Sequence, residues 1–171
     1  MIDEIPVASR RLATDRLRAV GLPLLAVLLV ASGLWLGWDN SSRRDARQSG
    51  GEAVQNARDS IVAILSYQPA TAEKSLEAAA RDRLTGTFLD DYTQLIKTVV
   101  VPNAIQRSIT ASARVPAAAA VSAGSGQAVV LAFVDQTTTV GTAAPTQTNS
   151  SVRVTMDNVG GRWLISGFDP I

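Results

Sequence analysis

The chain contains neither cysteine nor histidine among its 171 residues. Without cysteine it can form no disulfide framework and has no thiol nucleophile. Without histidine it lacks the commonest metal ligand and the side chain best suited to proton transfer near neutral pH. Ser-His-Asp and Cys-His catalytic machinery is therefore excluded, and an enzyme would have to use carboxylates, Tyr67 or Tyr92. No spacing supports that chemistry, so we expect no enzyme activity, no metal site and no cofactor.

The chain also lacks an excess of charge of either sign. Its 16 basic and 15 acidic residues give a formal net charge of +1. Proteins that bind nucleic acid through its phosphates need a strong positive excess, so we expect no nucleic-acid partner. The adjacent Asp90 and Asp91 point in different directions on a helix and are interpreted as acids near a helix N-terminus, not as an acid–base pair.

One long uncharged segment is present near the N-terminus. Residues 19–38 read AVGLPLLAVLLVASGLWLGW, and a bilayer core needs about 20 apolar residues of helix. The segment predicts a transmembrane helix, with Arg16 and Arg18 before it and Trp35 and Trp38 at its far end as membrane-interface anchors. The alternatives are a buried core helix and a cleaved signal peptide. A signal peptide would have small residues at its cleavage site, where this segment has bulky Trp residues.

The arginines around this segment do not determine its orientation. Four lie on each side: Arg10, Arg11, Arg16 and Arg18, and Arg43, Arg44, Arg47 and Arg58. A short tail before a large domain favours a single-pass protein of the inner (cell) membrane with its C-terminal domain outside the cytoplasm. We therefore expect a cytoplasmic tail (1–18), a transmembrane helix (19–38), a juxtamembrane linker ending in Gly50-Gly51 (39–51) and an extracytoplasmic domain (52–171).

Apolar residues three and four positions apart predict helices in the first half of this domain. The first helix is expected over residues 52–66, and a second from residue 71 until Gly86 interrupts it. A third is expected to begin at Thr87, where Thr87 and Asp90 fit a capping box, and to end at Pro102.

After Pro102 the apolar period changes to two, which is typical of strands. Strands are predicted over 109–115, 128–139, 151–156 and 162–168. Loops are predicted over 117–126 and 141–149, and a turn over 158–161. The predicted fold class is α+β: an N-terminal transmembrane helix, then about three helices packed on a curved four-stranded antiparallel sheet.

Four aromatic residues are candidates for a site between the sheet and the helices. Trp163 on a strand, together with Tyr92, Phe133 and Phe168, could line a ligand cavity. The alternative is that these side chains form an ordinary hydrophobic core.

Several segments of the chain resemble a known family. They are ARDSIVAILSY at 57–67, LTGTFLDDY at 84–92, VLAFVDQTTT at 130–139, SVRVTM at 151–156 and GRWLISGF at 161–168. These segments are similar to the actinobacterial Mce-associated membrane proteins, which are partners of the "mammalian cell entry" lipid-transport systems.

The resemblance implies a domain similar to the nuclear transport factor 2-like cone. It also implies a non-enzymatic accessory subunit that aids the assembly or stability of an Mce-type envelope complex importing lipids or sterols. Transporter subunits and membrane lipids would be its partners, contacted through the sheet, residues 117–126 and the anchor helix. The alternatives are a cone domain that binds a lipid or other hydrophobe in its own cavity, an enzyme of the cone superfold, and an inner-membrane scaffold like those of type IV secretion.

Overall fold

The computed structural model describes residues 48–171. The predicted tail, the transmembrane helix and most of the linker lie outside these residues, as do the proposed anchors Arg16, Arg18, Trp35 and Trp38. Within the described part, no helix combines the length and the apolar character needed to cross a bilayer.

Helices make up the first part of the described chain. Helix α1 is described over residues 48–65, and helix α2 covers Ala72–Arg83. Helix α3 covers Gly86–Leu95 and continues through a π-helical segment, Ile96–Val100, into helix α4 at Val101–Gln106. The predicted helices are therefore present, but the third does not end where the sequence indicated.

The third helix differs from its prediction at both ends. Its N-cap is Thr85, which makes no side-chain capping bond, so the predicted capping box of Thr87 and Asp90 is wrong. Pro102 does not end the helix either, because the π-helical segment precedes it and the Val101 N–H bonds back to the Ile96 carbonyl. Pro102 then lies in the first turn of α4, where a missing N–H costs least.

The second part of the chain is a single antiparallel sheet. Its strands are β1 (Ile109–Ala123), β2 (Gln127–Val140), β3 (Thr146–Val159) and β4 (Arg162–Pro170), in the order β1-β2-β3-β4. Each strand pairs with the next one along the chain. The predicted α+β class, with helices packed on a four-stranded antiparallel sheet, is confirmed.

Two of the predicted loops are partly or largely strand. Residues 117–123 continue β1, and residues 146–149 begin β3. Alanine has a low strand propensity, but Ala117 to Ala120 pair in register with residues 133 to 130 of β2. The ladder with a neighbouring strand overrides the local preference. The turn after β3 agrees with its prediction: Gly160 and Gly161 have φ of +60° and +84°, as a two-residue type I′ hairpin requires.

The core lies between the helices and one face of the sheet. Every second residue of β2 points inward, and these residues meet apolar side chains from the neighbouring strands and the helices. The fully or nearly buried members include Ala128, Val130, Ala132, Val134, Val152, Val154, Met156, Trp163, Ile165, Ala57, Ile61, Ile64, Leu76, Ala80, Tyr92 and Ile96.

The glycine pair at residues 50 and 51 lies inside α1 and not in a turn between anchor and domain. A Cβ atom on Gly50 would stand 3.3 Å from the Cβ of Ala123 and 3.6 Å from the Cβ of Ala120. No heavy atom lies within 4 Å of the corresponding position on Gly51. Gly50 therefore allows α1 to lie close to the end of β1, and the predicted linker boundary falls within a helix.

Candidate functional site

The four candidate aromatic residues do not come together. Tyr92, Trp163 and Phe168 lie on the core side of the sheet, whereas Phe133 is 49% exposed on the opposite face. The prediction that Phe133 lines an inner cavity is wrong. Strand residues alternate between faces, and in β2 the even-numbered residues 128 to 134 point inward.

Tyr92 is held by a specific contact in the core. Its hydroxyl donates a hydrogen bond to the Ile64 carbonyl, with 2.7 Å between the oxygen atoms. Ile64 belongs to the last turn of α1, whose carbonyls have no partner within the helix. Burial raises the pKa of the Tyr92 hydroxyl, and the charge of Tyr67 adds a smaller increase. Tyr92 is thus a protonated cap on α1 and is poorly suited to proton transfer.

The remaining inner aromatic residues also pack as core. Phe168 stacks on Phe88, with ring centroids 6.2 Å apart and planes inclined by 8°. Phe88 also contacts Tyr92 at a centroid distance of 6.1 Å. Trp163 is 3% exposed, and its Nε1 atom has no hydrogen-bond partner among the described residues. These contacts favour the core interpretation over a ligand cavity.

The face of the sheet that points away from the helices carries a different feature. Val129, Leu131 and Phe133 follow one another along this face of β2. On β1, Ala117 is opposite Phe133 and Ala119 is opposite Leu131. We call these five residues the outer stripe. Val129 and Leu131 are half-buried by their neighbours, and Phe133 is the most prominent large side chain of the group.

Polar pairs border the outer stripe at both ends. Beyond Phe133, the Arg114 guanidinium lies 2.9 Å from the Asp135 carboxylate, which also accepts a hydrogen bond from Asn149. At the other end, the Gln127 amide donates to Asp157 at 3.0 Å. An apolar stripe with a polar border is typical of a protein-interaction surface.

Ile171 extends this surface at the C-terminus. Its side chain is 63% exposed and lines an open cleft of about 510 Å³ together with Phe133, Asp135 and Ser151. The Ile171 N–H bonds to the Ser151 carbonyl at 3.0 Å, which fixes the end of the chain beside β3. Sequence periodicity gave no sign of this cleft, because it depends on the register between strands.

A polar cleft of about 550 Å³ lies where α1, the end of α2 and the β3–β4 turn meet. Its lining includes Glu52, Asp82, Arg83 and Arg162, and Arg162 donates to the Asp82 carbonyl at 2.7 Å. Acids and bases are mixed in this cleft, so it offers no field of one sign. Among residues 48–171 no group of three or more His, Cys, Asp or Glu is close enough to hold a metal ion.

No protein-family model matches the chain. It is 53% identical over 158 residues to the Mycobacterium tuberculosis protein named outer membrane protein Rv1973, an alignment covering 92% of this chain and 98% of that protein. It is 39% identical over 154 residues to the uncharacterized protein Rv1362c of the same organism, covering 86% of this chain and 70% of that one.

Three solved structures share the fold. An IcmL-like type IV secretion system protein of Legionella pneumophila has a TM-score of 0.58 at 9% identity, covering 69% of this chain and 90% of its own. The periplasmic domain of DotI has a TM-score of 0.57 at 18% identity, and the match covers 69% of this chain and 91% of that domain. VirB8 of Agrobacterium tumefaciens has a TM-score of 0.54 at 12% identity, and the match covers 68% of this chain and 88% of VirB8.

At these identities the structural likeness establishes the fold and not the activity. It agrees with the cone-like arrangement of helices on a sheet that the sequence resemblance implies. The sequence relationship reaches further, because more than half of the aligned residues are identical over nearly the whole of both chains. The chain therefore belongs to the family of the mycobacterial outer membrane protein Rv1973.

Proposed function

We propose that the chain is a non-enzymatic, membrane-anchored accessory subunit that helps to assemble an Mce-type envelope complex importing lipids or sterols. The observation that carries the proposal is the outer stripe. It is an apolar surface with a polar border, on a domain whose inner aromatic residues are committed to the core. Such a domain is suited to hold another protein and not to enclose a small molecule.

The names of the relatives support a role in the envelope. The 53% identical protein is called an outer membrane protein. One of the solved structures is the periplasmic domain of DotI, and another is described as a type IV secretion system protein. We propose an inner-membrane anchor at residues 19–38 and an exported domain after it. Separation of native envelope membranes tests the location, and recovery of the chain in the outer-membrane fraction alone would contradict it.

The energetics of the outer stripe fit a moderate protein contact. Full burial of a large apolar side chain is worth about 1.5–3 kcal/mol, so covering the exposed half of Phe133 would contribute about 1 kcal/mol. The half-buried Val129 and Leu131 would add less. A carboxylate in place of Phe133 would oppose this gain, because covering it with a partner protein would remove a charge from water.

Affinity purification of the tagged full-length chain from native actinobacterial membranes tests the proposal. Phe133→Glu places a charge in the outer stripe. Ile105→Glu is the matched control, because Ile105 is a similarly exposed apolar residue (58%) on α4. We expect the unaltered chain and the control to retain Mce transporter subunits, and Phe133→Glu to lose most of them.

Two results would contradict the proposal. One is the absence of any transporter subunit under conditions where other envelope complexes survive. The other is equal retention of subunits by Phe133→Glu and Ile105→Glu, which would remove the outer stripe from the contact.

A second candidate function is an inner-membrane scaffold like those of type IV secretion. The fold is compatible with it, because the chain has a TM-score of 0.58 to the IcmL-like type IV secretion system protein. The same purification separates the two candidates, because secretion components would be recovered in place of transporter subunits.

A further inference from the structure

One end of the described domain carries an open groove and an exposed apolar residue outside the outer stripe. The first described turn of α1 lies against the tip of the β1–β2 hairpin, where the Cβ of Ala123 is 3.3 Å from the position of a Cβ on Gly50. An open groove of about 480 Å³ runs between them, lined by Gly50, Gly51 and Val54 of α1 and by residues 120–123 of β1. We call the hairpin residues 120–127 the β1–β2 tip.

The β1–β2 tip presents an apolar residue outward. The register of β1 against β2 shifts between Ala120, which pairs with Val130, and Ser122, which pairs with Val129. Val121 is the extra residue of this bulge, and at 68% it is the most exposed large apolar side chain among the described residues. A bulge of this kind re-aims a side chain out of the ladder.

The tip is also uncharged, and backbone hydrogen bonds join its turn to the sheet. Residues 120–127 read AVSAGSGQ, with no Asp, Glu, Lys or Arg. Exposed strands near an edge usually carry a charge that discourages association, and this one does not. The Gly124 N–H bonds to the Gln127 carbonyl at 2.9 Å, and the Asn158 N–H bonds to the Gly126 carbonyl at 2.8 Å. These bonds tie the turn of the tip to β2 and to the end of β3.

The length of chain before α1 indicates what the tip meets. Only residues 39–47 separate the apolar run from the first described residue, and ten Cα–Cα steps span about 35 Å at most. The first described turn of α1, which touches the tip, therefore follows the proposed anchor after a short segment of chain.

We propose that the β1–β2 tip rests on the bilayer, with Val121 entering the membrane interface. The proposal rests on the membrane anchor in the proposed function, but not on the identity of the transporter. An uncharged apolar tip enters the interface at little cost, whereas each buried charge would cost several kcal/mol at the bilayer centre and less near its surface. The domain would then be held at two points, and its outer stripe would face a neighbouring protein in a defined direction.

The test uses single cysteines, which the cysteine-free chain accepts without background labelling. The full-length chain is reconstituted in nanodiscs of phosphatidylcholine and phosphatidylglycerol, one chain per disc, with a fluorophore at Val121→Cys. Lipids carrying a spin-label quencher on the acyl chain report contact with the bilayer. Ile105→Cys is the matched control: it is 58% exposed and lies on α4, whose end adjoins the other end of the sheet through the Gly141 N–H bond to Ser108. Leu36→Cys reports on the proposed anchor.

We expect quenching at Val121→Cys to exceed that at Ile105→Cys about three-fold or more, since only a side chain within the interface meets the quencher. A second label at Ser125→Cys should lose its quenching when Val121→Asp is added, and should keep it when Ile105→Asp is added.

Equal quenching at Val121→Cys and Ile105→Cys, with strong quenching at Leu36→Cys, would overturn the contact and leave the anchor intact. A Val121→Cys label that is shielded from aqueous iodide but unaffected by the lipid quencher would also overturn it, because a protein would then cover the tip. If Leu36→Cys is not quenched, the anchor itself is wrong and the contact falls with it.

Discussion

Replacement of Tyr92 by phenylalanine removes one oxygen atom at the point where α3 meets the end of α1. That oxygen donates to the Ile64 carbonyl at 2.7 Å in a nearly dry site, since Tyr92 is 8% exposed and Ile64 is 4% exposed. The carbonyl is one of those that α1 cannot satisfy within itself. Leaving a buried acceptor unpaired costs about 1–3 kcal/mol, so Tyr92→Phe should lower the free energy of unfolding by about that amount near neutral pH.

The same substitution should change the response to alkali. Burial raises the pKa of Tyr92 above its usual value of 10.0, so the unfolded chain releases this proton at a lower pH than the folded one. The full contribution of Tyr92 to the free energy of unfolding is therefore present below about pH 10. Above that pH it falls by about 1.4 kcal/mol per pH unit, until the pH reaches the pKa of Tyr92 in the folded state. The Tyr92→Phe variant has no such proton, so its free energy of unfolding should fall less steeply as the pH rises.

Urea unfolding of the full-length chain in detergent, followed by far-ultraviolet circular dichroism at pH 7.5 and pH 11, measures both effects. Tyr67→Phe is the control, because Tyr67 pairs with Ala111 through backbone bonds of 2.8 and 2.9 Å that the change leaves intact. We expect it to alter the stability near neutral pH by less than about 0.5 kcal/mol. Equal losses for the two variants at pH 7.5, or an unchanged alkaline decline in Tyr92→Phe, would refute the reasoning.

Two further predictions concern glycines, and thermal unfolding checks both. Gly51→Ala should stabilise the domain by about 0.5–1 kcal/mol through helix propensity. Gly50→Ala should gain clearly less, because its Cβ would meet that of Ala123 at 3.3 Å; equal gains would contradict the close approach of α1 to β1. Gly161→Ala should cost about 1–2 kcal/mol, because φ is +84° in the β3–β4 turn. Gly126→Ala, which has open space and no positive φ, should be near neutral, and equal losses would argue against the type I′ turn.

Local pattern was sufficient for most of the secondary structure. The spacing of Ala57, Ile61 and Ile64 marks the buried side of α1, and the alternation of Val152, Val154 and Met156 marks the inner face of β3. Arg58 and Asp59 lie between Ala57 and Ile61, and Arg153 and Thr155 alternate with the apolar residues of β3, so one arrangement buries most of each apolar set. Where such contrast exists, the sequence predicts both the element and the face that it buries.

The predictions failed where local contrast is missing. The segment AVVLAFV at 128–134 is apolar at every position, so nothing in it indicates which residues point inward, and Phe133 was assigned to the wrong face. The alanines of residues 117–120 carry no strand signal, and the paired strand β2 makes them part of the sheet. At Pro102 a helix-breaking residue is accommodated by a π-helical segment whose bonds span five residues.

By itself, the sequence determined which catalytic side chains are absent, that residues 19–38 form one long apolar run, and that the domain is of the α+β class. These follow from side-chain composition and from periods of 3.6 and 2, which are local properties. Only the tertiary structure decided that Tyr92 caps α1, that Phe133 joins the outer stripe and that Val121 projects from the β1–β2 tip. Each depends on the register of one strand against another or on the approach of a helix to the sheet. Those distances are set by residues far apart in the chain, packing together to bury a common core.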